Sequence, residues 1–431
     1  MRVDGDALAG SGEERCLWTA ASPGSPVVEA VPLPDRTDVA IVGGGYTGLA
    51  AARALAGRGV DVTLLERHHV GWGASGRNGG FVLPGYKPDV QVLATKLGLA
   101  AARRLFETSL EAVRFLESVI AQEAIDCDYV RCGSLLLAAK PGHLRGLRDG
   151  QQFLQAKLGY ETVLLGPDEV RAELGSARYH GGLLDRGAGA LHPVRYLRGL
   201  AASAVRSGAR IIEGVEVRRL TRVGSKSVLE TSRGVLPAGE VLVATNGYTG
   251  PLCPSLQRRV VPIGSYLIAT APLEPSLARR LIPNGRVLSD TKNLLYYFRL
   301  SPDGRMVFGG RAAFTPTPVA RSAAILERGM REVFPELAGV PIEYAWGGQV
   351  AFTLDQLPHA GRLDGVHYAL GYCGHGVALS TWLGTRLGEA LAGAGELPAL
   401  GPGRFRSVPL YFGRPWFLPL VGVWYRVADL W

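Results

Sequence analysis

The stretch from Asp38 to Glu66, DVAIVGGGYTGLAAARALAGRGVDVTLLE, limits the possible folds more than any other part of the chain. Val39 to Val42 is an apolar, largely branched run that suits a short buried strand. Gly43, Gly45 and Gly48 follow at GxGxxG spacing. Such glycines permit a sharp turn, a close backbone approach to a pyrophosphate and tight packing of a helix on a sheet. The small-residue run after Tyr46 and Thr47 suits that helix, whose free N–H groups then face the phosphates. Asp61 to Leu65 reads as a second strand. Glu66 ends it, with Arg67 beside it, about 20 residues past the turn, where an acid accepts hydrogen bonds from an adenosine ribose. The unit is a dinucleotide-binding βαβ. Glu66 alone suits NAD as well as FAD.

With 431 residues and 47% hydrophobic content the chain has material for two interleaved domains. Its formal net charge of +9 comes mainly from arginines spread along the sequence, which argues against a nucleic-acid partner and favours anionic ligands weakly. Cys16, Cys127, Cys132, Cys253 and Cys373 form no CxxC pair, so a reduced, cytoplasmic protein is expected. The first residues carry Asp4, Asp6, Glu13 and Glu14 and no sustained apolar segment, so no signal peptide is expected. Trp416 to Trp431 is apolar but interrupted by Pro419 and Arg426 and too short to span a bilayer. Its arginines and aromatics suit a lid, a dimer contact or a membrane-surface anchor, with packing on the body expected over these. The oligomeric state is open. His68 and His69 lack ligand partners at metal spacing, and neither a GxSxG elbow nor an HExxH helix occurs. No metal is expected.

A discontinuous α/β architecture follows from the order of segments. Residues 1–36 form an extension, and 37–95, 180–253 and 345–395 build the nucleotide-binding domain. Residues 96–179 and 254–344 build a mainly antiparallel second domain, and 396–431 form a tail. The loop Gly71 to Gly80 is too glycine-rich for helix or strand. Within it Gly73, Ala74, Ser75, Arg77, Asn78, Gly79 and Gly80 offer a hydroxyl, a cation, an amide and backbone N–H groups to a ligand. Val241 to Val243 is an apolar strand that runs into Ala244 and Thr245, at the sheet end where ligands bind in α/β folds. Val366 to Leu370, the turn Gly371 to Gly376 and an apolar helix from Val377 make a second strand–turn–helix unit. In the strand around Tyr296, period-2 alternation puts Tyr297 and Arg299 on one face and Tyr296 on the other.

The ordered set VGGGYTGL, GASGRNGG, LLDRGAGALHP, YYFRLSPDGRMVFGG and GYCGHGV resembles the glycine oxidase and D-amino-acid oxidase family of flavoproteins, and within it the bacterial γ-glutamylputrescine oxidoreductases. The resemblance runs from about residue 36 to 395. It implies FAD in an extended form, with Val217, Ala244, Thr245, Gly347, Gly374, His375, Gly376 and Val377 joining the two glycine loops around it. It also implies that the helix opening at Gly374-His375-Gly376 points at the flavin edge that gains negative charge on reduction. Related flavoproteins attach the ring covalently through a cysteine before the last strand or a histidine in the second loop. Trp346 to Val350 and Gly73 to Gly80 hold neither, so FAD is expected to be non-covalent.

His375, Tyr297, Arg299 and Trp346 are the residues assigned to the reaction. For each there is an ordinary alternative. His375 suits a loop histidine with a backbone contact, the aromatics suit a sheet core, and Arg299 suits either a substrate carboxylate or an internal acid. The implied reaction removes hydride to flavin N5 from the carbon bearing a primary or secondary amine, with hydrolysis of the imine and O2 as acceptor. The implied substrate resembles γ-glutamylputrescine. Rival readings are a D-amino-acid or glycine oxidase, a flavin-dependent amine N-oxygenase, and a non-catalytic protein that retains FAD.

Overall fold

In the computed structural model, residues 14–22, 31–224, 226–310, 317–398, 400 and 405–428 are described. The strand Thr37–Val42 is central to the first sheet. Val62–Leu65 pairs parallel on one side of it and Gly234–Val243 on the other, and the sheet continues outward to Arg210–Ile212 and to Val366–Leu370. Antiparallel additions, His359–Leu363 and the pair Val217–Val223 with Lys226–Thr231, complete its eight strands. Strands buried on both faces read as continuous apolar runs, as VAIV does.

Two helices lie against one another over this sheet. Tyr46–Ala56 follows the glycine turn, and Gly376–Leu391 follows the last strand. A side chain at Gly388 would lie 2.7 Å from Ala51 O, and one at Gly384 would run into Thr47 O. The pair therefore packs at backbone distance, and both N-termini open at the sheet edge where Val42 and Leu370 end. Thr47 Oγ1 and Tyr372 Oη, 2.8 Å apart, join the two starts.

The second sheet also has eight strands, all antiparallel except Val287–Asp290 beside Ser134–Leu137, in keeping with the mainly antiparallel expectation. Phe298, Phe308 and Phe334 fill its core, and the helix Val319–Val333 backs it. Strand pairing departs from a division by sequence position in two places, and core packing in a third. Gly182–Asp185 and Ile342–Phe352 pair within this second sheet, although residues 180–253 and 345–395 were assigned to the first domain. Conversely, Leu105, Ala112, Val113, Leu116 and Val119 of the helix Leu99–Gln122 join the core under the first sheet. An apolar stripe names a buried face without naming its partner.

The described part of the N-terminal extension packs on the body. Arg15 bridges to Ala345 within the strand Ile342–Phe352, and one helical turn, Leu17–Ala20, buries Leu17 and Trp18. At the other end the helix Leu418–Ala428 rests on a cluster containing Val261, Ile263, Phe352, Cys373 and Tyr411. Among the described residues, no helix is long and apolar enough to cross a membrane, and no group of three or more His, Cys, Asp or Glu could hold a metal ion.

Candidate active site

The phosphate end is built from backbone. Gly43 has φ +114°, which L side chains rarely adopt, and a Cβ there would lie 2.9 Å from Ala244 O. Ala244 in turn donates its N–H to Val42 O. Thr245 shares a 2.7 Å hydroxyl contact with Thr249 beside this turn. Ser75 Oγ accepts from Tyr46 N at 3.1 Å, so the second glycine loop touches the N-terminus of the glycine-turn helix. A Cβ at Gly45 would be 2.8 Å from the same hydroxyl, so any other residue there would displace Ser75 from its bond to Tyr46 N. Tyr46 contributes this amide; its ring is core, tilted at 48° against Tyr196 with the centroids 5.3 Å apart, and its hydroxyl donates to Pro193 O.

Glu66 is held for its task by its own main chain. Oε2 accepts from Gly44 N at 2.7 Å and Oε1 from His68 N at 2.9 Å. Burial raises its pKa, and those two N–H groups act in the opposite direction by stabilising the charged form. Arg67 points outward to Glu216 and the Trp72 ring. Val217 opens a strand opposite Thr231, while it is Val215 N that donates to Glu66 O.

The second loop contains a helical turn, Ala74–Arg77, where sequence reasoning expected neither helix nor strand. Its polar side chains are taken up by the protein itself, within the loop and against the segments around it. Asn78 Nδ2 donates to Ser75 O and Ala74 O at 2.8 and 3.1 Å, and its Oδ1 accepts from Gly80 N. Arg77 donates to Trp72 O, to Gly347 O and to the Glu14 carboxylate, the last at 2.5 Å. These two residues are therefore scaffold, and the offered groups are backbone ones. Gly73 lies under the Tyr248 ring and Gly79 under Phe81 and Tyr297. Gly80, φ +74°, leaves no room for a Cβ beside Leu191 O.

At the far end stand Tyr297 and the turn before Gly376–Leu391. Tyr297 Oη is 2.9 Å from Ser265 Oγ, and its ring meets Phe81 edge-on at 5.9 Å. Tyr296 points into the second core against Phe308, as the alternation requires. His375 forms the N-cap of the helix without a capping bond from its side chain. Its Nδ1 is buried and has no hydrogen-bond partner among the described residues. Burial pushes the ring down to about 4, so the imidazole is neutral near pH 7.

Arg299 and Trp346 depart from the roles assigned to them. Arg299 is 3% exposed; its guanidinium donates to Leu191 O at 3.0 Å and Gly80 O at 3.3 Å and lies over the Trp18 ring. The internal alternative holds, with backbone carbonyls in place of an acid. Burial lowers its pKa to about 10, which leaves it charged. Trp346 is fully buried, and its indole N–H donates to Arg77 O at 3.0 Å. Both brace the second glycine loop from behind.

Four contributors escaped sequence reasoning. Glu14 accepts from Arg77 and from Gly347 N. Trp18 donates to Asn78 O at 2.8 Å. Tyr248 Oη accepts from Gln349 N, and Asn246 Oδ1 accepts from Gly371 N at 2.9 Å, pinning the turn before His375. Only Asn246 carried a signal, as a polar residue just past an apolar strand.

A backbone cradle on a parallel sheet, continued under a second antiparallel sheet, defines a two-sheet dinucleotide-dependent oxidoreductase. The chain belongs to the DAO family, described as FAD dependent oxidoreductase, which matches residues 38–390. It is 35% identical over 412 residues to a probable oxidoreductase OrdL of Rhizobium meliloti (strain 1021), covering 93% of this chain and 96% of that protein. It is 36% identical over 361 residues to γ-glutamylputrescine oxidoreductase of Escherichia coli (strain K12), covering 83% and 84%. In fold it is similar to glycine oxidase from Geobacillus kaustophilus, with a TM-score of 0.71 at 22% identity over 88% of this chain and 100% of that one. The protein is thus an FAD-dependent oxidoreductase. Its residues fit that group, with glycines where a Cβ would fill the cradle, a carboxylate fixed at the end of the second strand and an orphaned imidazole nitrogen at the start of the helix Gly376–Leu391.

Proposed function

We propose that the protein oxidises a primary or secondary alkylamine of the γ-glutamylputrescine kind, with its carboxylate remote from the reacting nitrogen. The observation that carries this reading is the inward turn of Arg299. With that guanidinium on Leu191 O and Gly80 O, the side chains that meet beside Gly79 of the second glycine loop are Tyr297 and Phe81, with Ser265 on the tyrosine hydroxyl. A neutral aromatic wall suits an amine flanked by methylenes, whereas an α-amino acid needs a cation within about two bonds of the nitrogen. The 36% identity to a γ-glutamylputrescine oxidoreductase supports the same choice.

The first sheet and its two helices hold the cofactor, non-covalently, and the second sheet forms the substrate wall. Bound FAD supplies the acceptor for the hydride that leaves the carbon beside nitrogen. The N–H groups and dipole at the start of Gly376–Leu391 would stabilise the negative charge that a flavin gains on reduction beside them. His375, neutral, adds a hydrogen-bonding nitrogen there without a competing charge. The Tyr297 and Ser265 hydroxyls orient a deprotonated amine, and their short contact fixes the tyrosine ring. Trp18 and Trp346 keep the rear of the loop dry. Water hydrolyses the imine, so that amine, O2 and water give aldehyde, hydrogen peroxide and either ammonia from a primary amine or the smaller amine from a secondary one.

The test is anaerobic mixing of the holoenzyme with γ-glutamylputrescine, simple alkylamines, glycine and D-alanine. Faster loss of flavin absorbance with the alkylamines, and peroxide release in air, are expected. Bleaching by glycine or D-alanine with no response to any alkylamine would move the enzyme to amino-acid oxidation.

A further inference from the structure

The helix Leu418–Ala428 carries two apolar stripes. Leu418, Val421 and Tyr425 face the body and pack into the cluster around Val261 and Cys373. Leu420, Val423, Trp424 and Val427, at the spacing i, i+3, i+4 and i+7, face solvent, with Leu420 and Trp424 each 68% exposed. The strap that leads into the helix adds Phe412 at 72% and Trp416 at 58%, and Trp416 is fixed there by donating to Leu410 O at 3.1 Å. Other exposed large apolar side chains among the described residues are scattered through the chain. A contiguous exposed apolar surface of this kind marks an interaction site.

The charge around it selects the occupant. Between residues 405 and 428 the sequence holds Arg406, Arg414 and Arg426 and neither Asp nor Glu, in a chain of net charge +9. A second copy docking by two-fold symmetry would set this patch on itself and bring arginines against arginines. An anionic lipid surface complements it instead. Aromatic residues along an apolar stripe, in a described segment whose charged residues are all basic, suit the headgroup boundary, where indole rings lie half-buried and cationic groups stay hydrated. Eleven residues of helix span about 16 Å, half of a hydrocarbon core of about 30 Å, so the helix lies in the interface and does not cross. We propose that this face docks the enzyme on an anionic lipid bilayer through Leu420, Val423, Trp424 and Val427.

Sedimentation of the full-length holoenzyme with vesicles tests this. One set contains phosphatidylglycerol in phosphatidylcholine, the other phosphatidylcholine alone. Binding to the anionic vesicles is expected, weakened by salt and accompanied by a blue shift of tryptophan emission. Leu420→Glu/Trp424→Glu should bind at least tenfold more weakly while keeping its flavin content. Arg406→Gln/Arg414→Gln keeps the apolar stripe and should lose affinity for the anionic vesicles only, which guards against a folding defect in the first variant. Wild type left in the supernatant with anionic vesicles, or equal binding to both sets, would overturn the proposal. So would a wild-type dimer in sedimentation velocity that Leu420→Glu/Trp424→Glu abolishes while vesicles bind neither protein.

Discussion

The guanidinium carbon of Arg299 lies 5.4 Å from the centre of the Trp18 indole, a cation seated on an aromatic face in a site closed to solvent. The cation comes from the second sheet and the ring from the N-terminal extension, and both bond to the second glycine loop, at Gly80 O and Asn78 O. Desolvated cation–π pairs are worth about 2 kcal/mol. This pair therefore clamps the backbone that faces the cofactor.

Replacing the ring should expose how much the clamp matters. Trp18→Ala removes a buried indole and is expected to cost about 3–5 kcal/mol of stability and to loosen FAD. Trp18→Phe keeps the ring and loses the bond to Asn78 O, costing about 1 kcal/mol. Urea unfolding with flavin fluorescence as the probe reads both, and equal stability of wild type and Trp18→Ala would contradict the clamp.

Glu66→Ala should weaken FAD binding by about 1.5–3 kcal/mol, the value of a hydrogen bond to a charged group, because the ribose loses its acceptor. The N–H groups of Gly44 and His68 also lose theirs. Glu66→Gln retains an acceptor for one of them and should fall between. Flavin remaining on the protein after dialysis against a series of urea concentrations ranks the three.

His192 gives a pH signature. Burial, with Arg195 and Arg299 adding to it, pushes its pKa to about 4 from an ordinary 6.5. The unfolded chain then binds a proton that the folded chain refuses, so stability should fall as pH drops from about 6.5 to about 4 and be flat in this respect above 6.5. The full effect is about 3 kcal/mol at the acid end. His192→Asn keeps an acceptor for Arg195 N, which His192 Nδ1 now serves, and should flatten part of the slope. An unchanged melting temperature profile in that variant would refute the assignment.

FAD should leave the protein intact on acid precipitation. The loop Gly73 to Gly80 holds no histidine and Trp346 to Val350 no cysteine. Cys16 does approach the second loop, its Sγ 3.7 Å from Gly76 O, but burial raises its pKa and keeps it a thiol. Yellow colour in the pellet would show a covalent bond.

The parts legible in the sequence are those whose meaning is local. Gly43, Gly45, Gly48 and Glu66 occupy one βαβ unit, and their spacing reports their geometry. Tyr296 and Tyr297 separated by alternation alone. Arg77, Asn78 and Arg299 were legible as polar groups near the site, yet a guanidinium or amide serves a ligand and a neighbouring carbonyl with the same chemistry. Only the surrounding chain decides between them. Glu14 and Trp18 were illegible because their partners lie far along the chain, and Trp346 because a core indole and a substrate-facing one look alike in sequence. In the tail, Pro419 and Arg426 disguised a helix with apolar residues on two sides.

The contact of Glu14 with Gly347 N joins residues 333 positions apart. Closing so long a loop is entropically slow, and contacts of this separation form after local ones. The glycine-turn helix can form early from its own neighbourhood, but the brace behind the second glycine loop must wait for the strand Ile342–Phe352. Far-separated parts of the described chain therefore meet behind the second glycine loop, and a change at either Glu14 or the strand Ile342–Phe352 reaches that loop while leaving the phosphate turn intact.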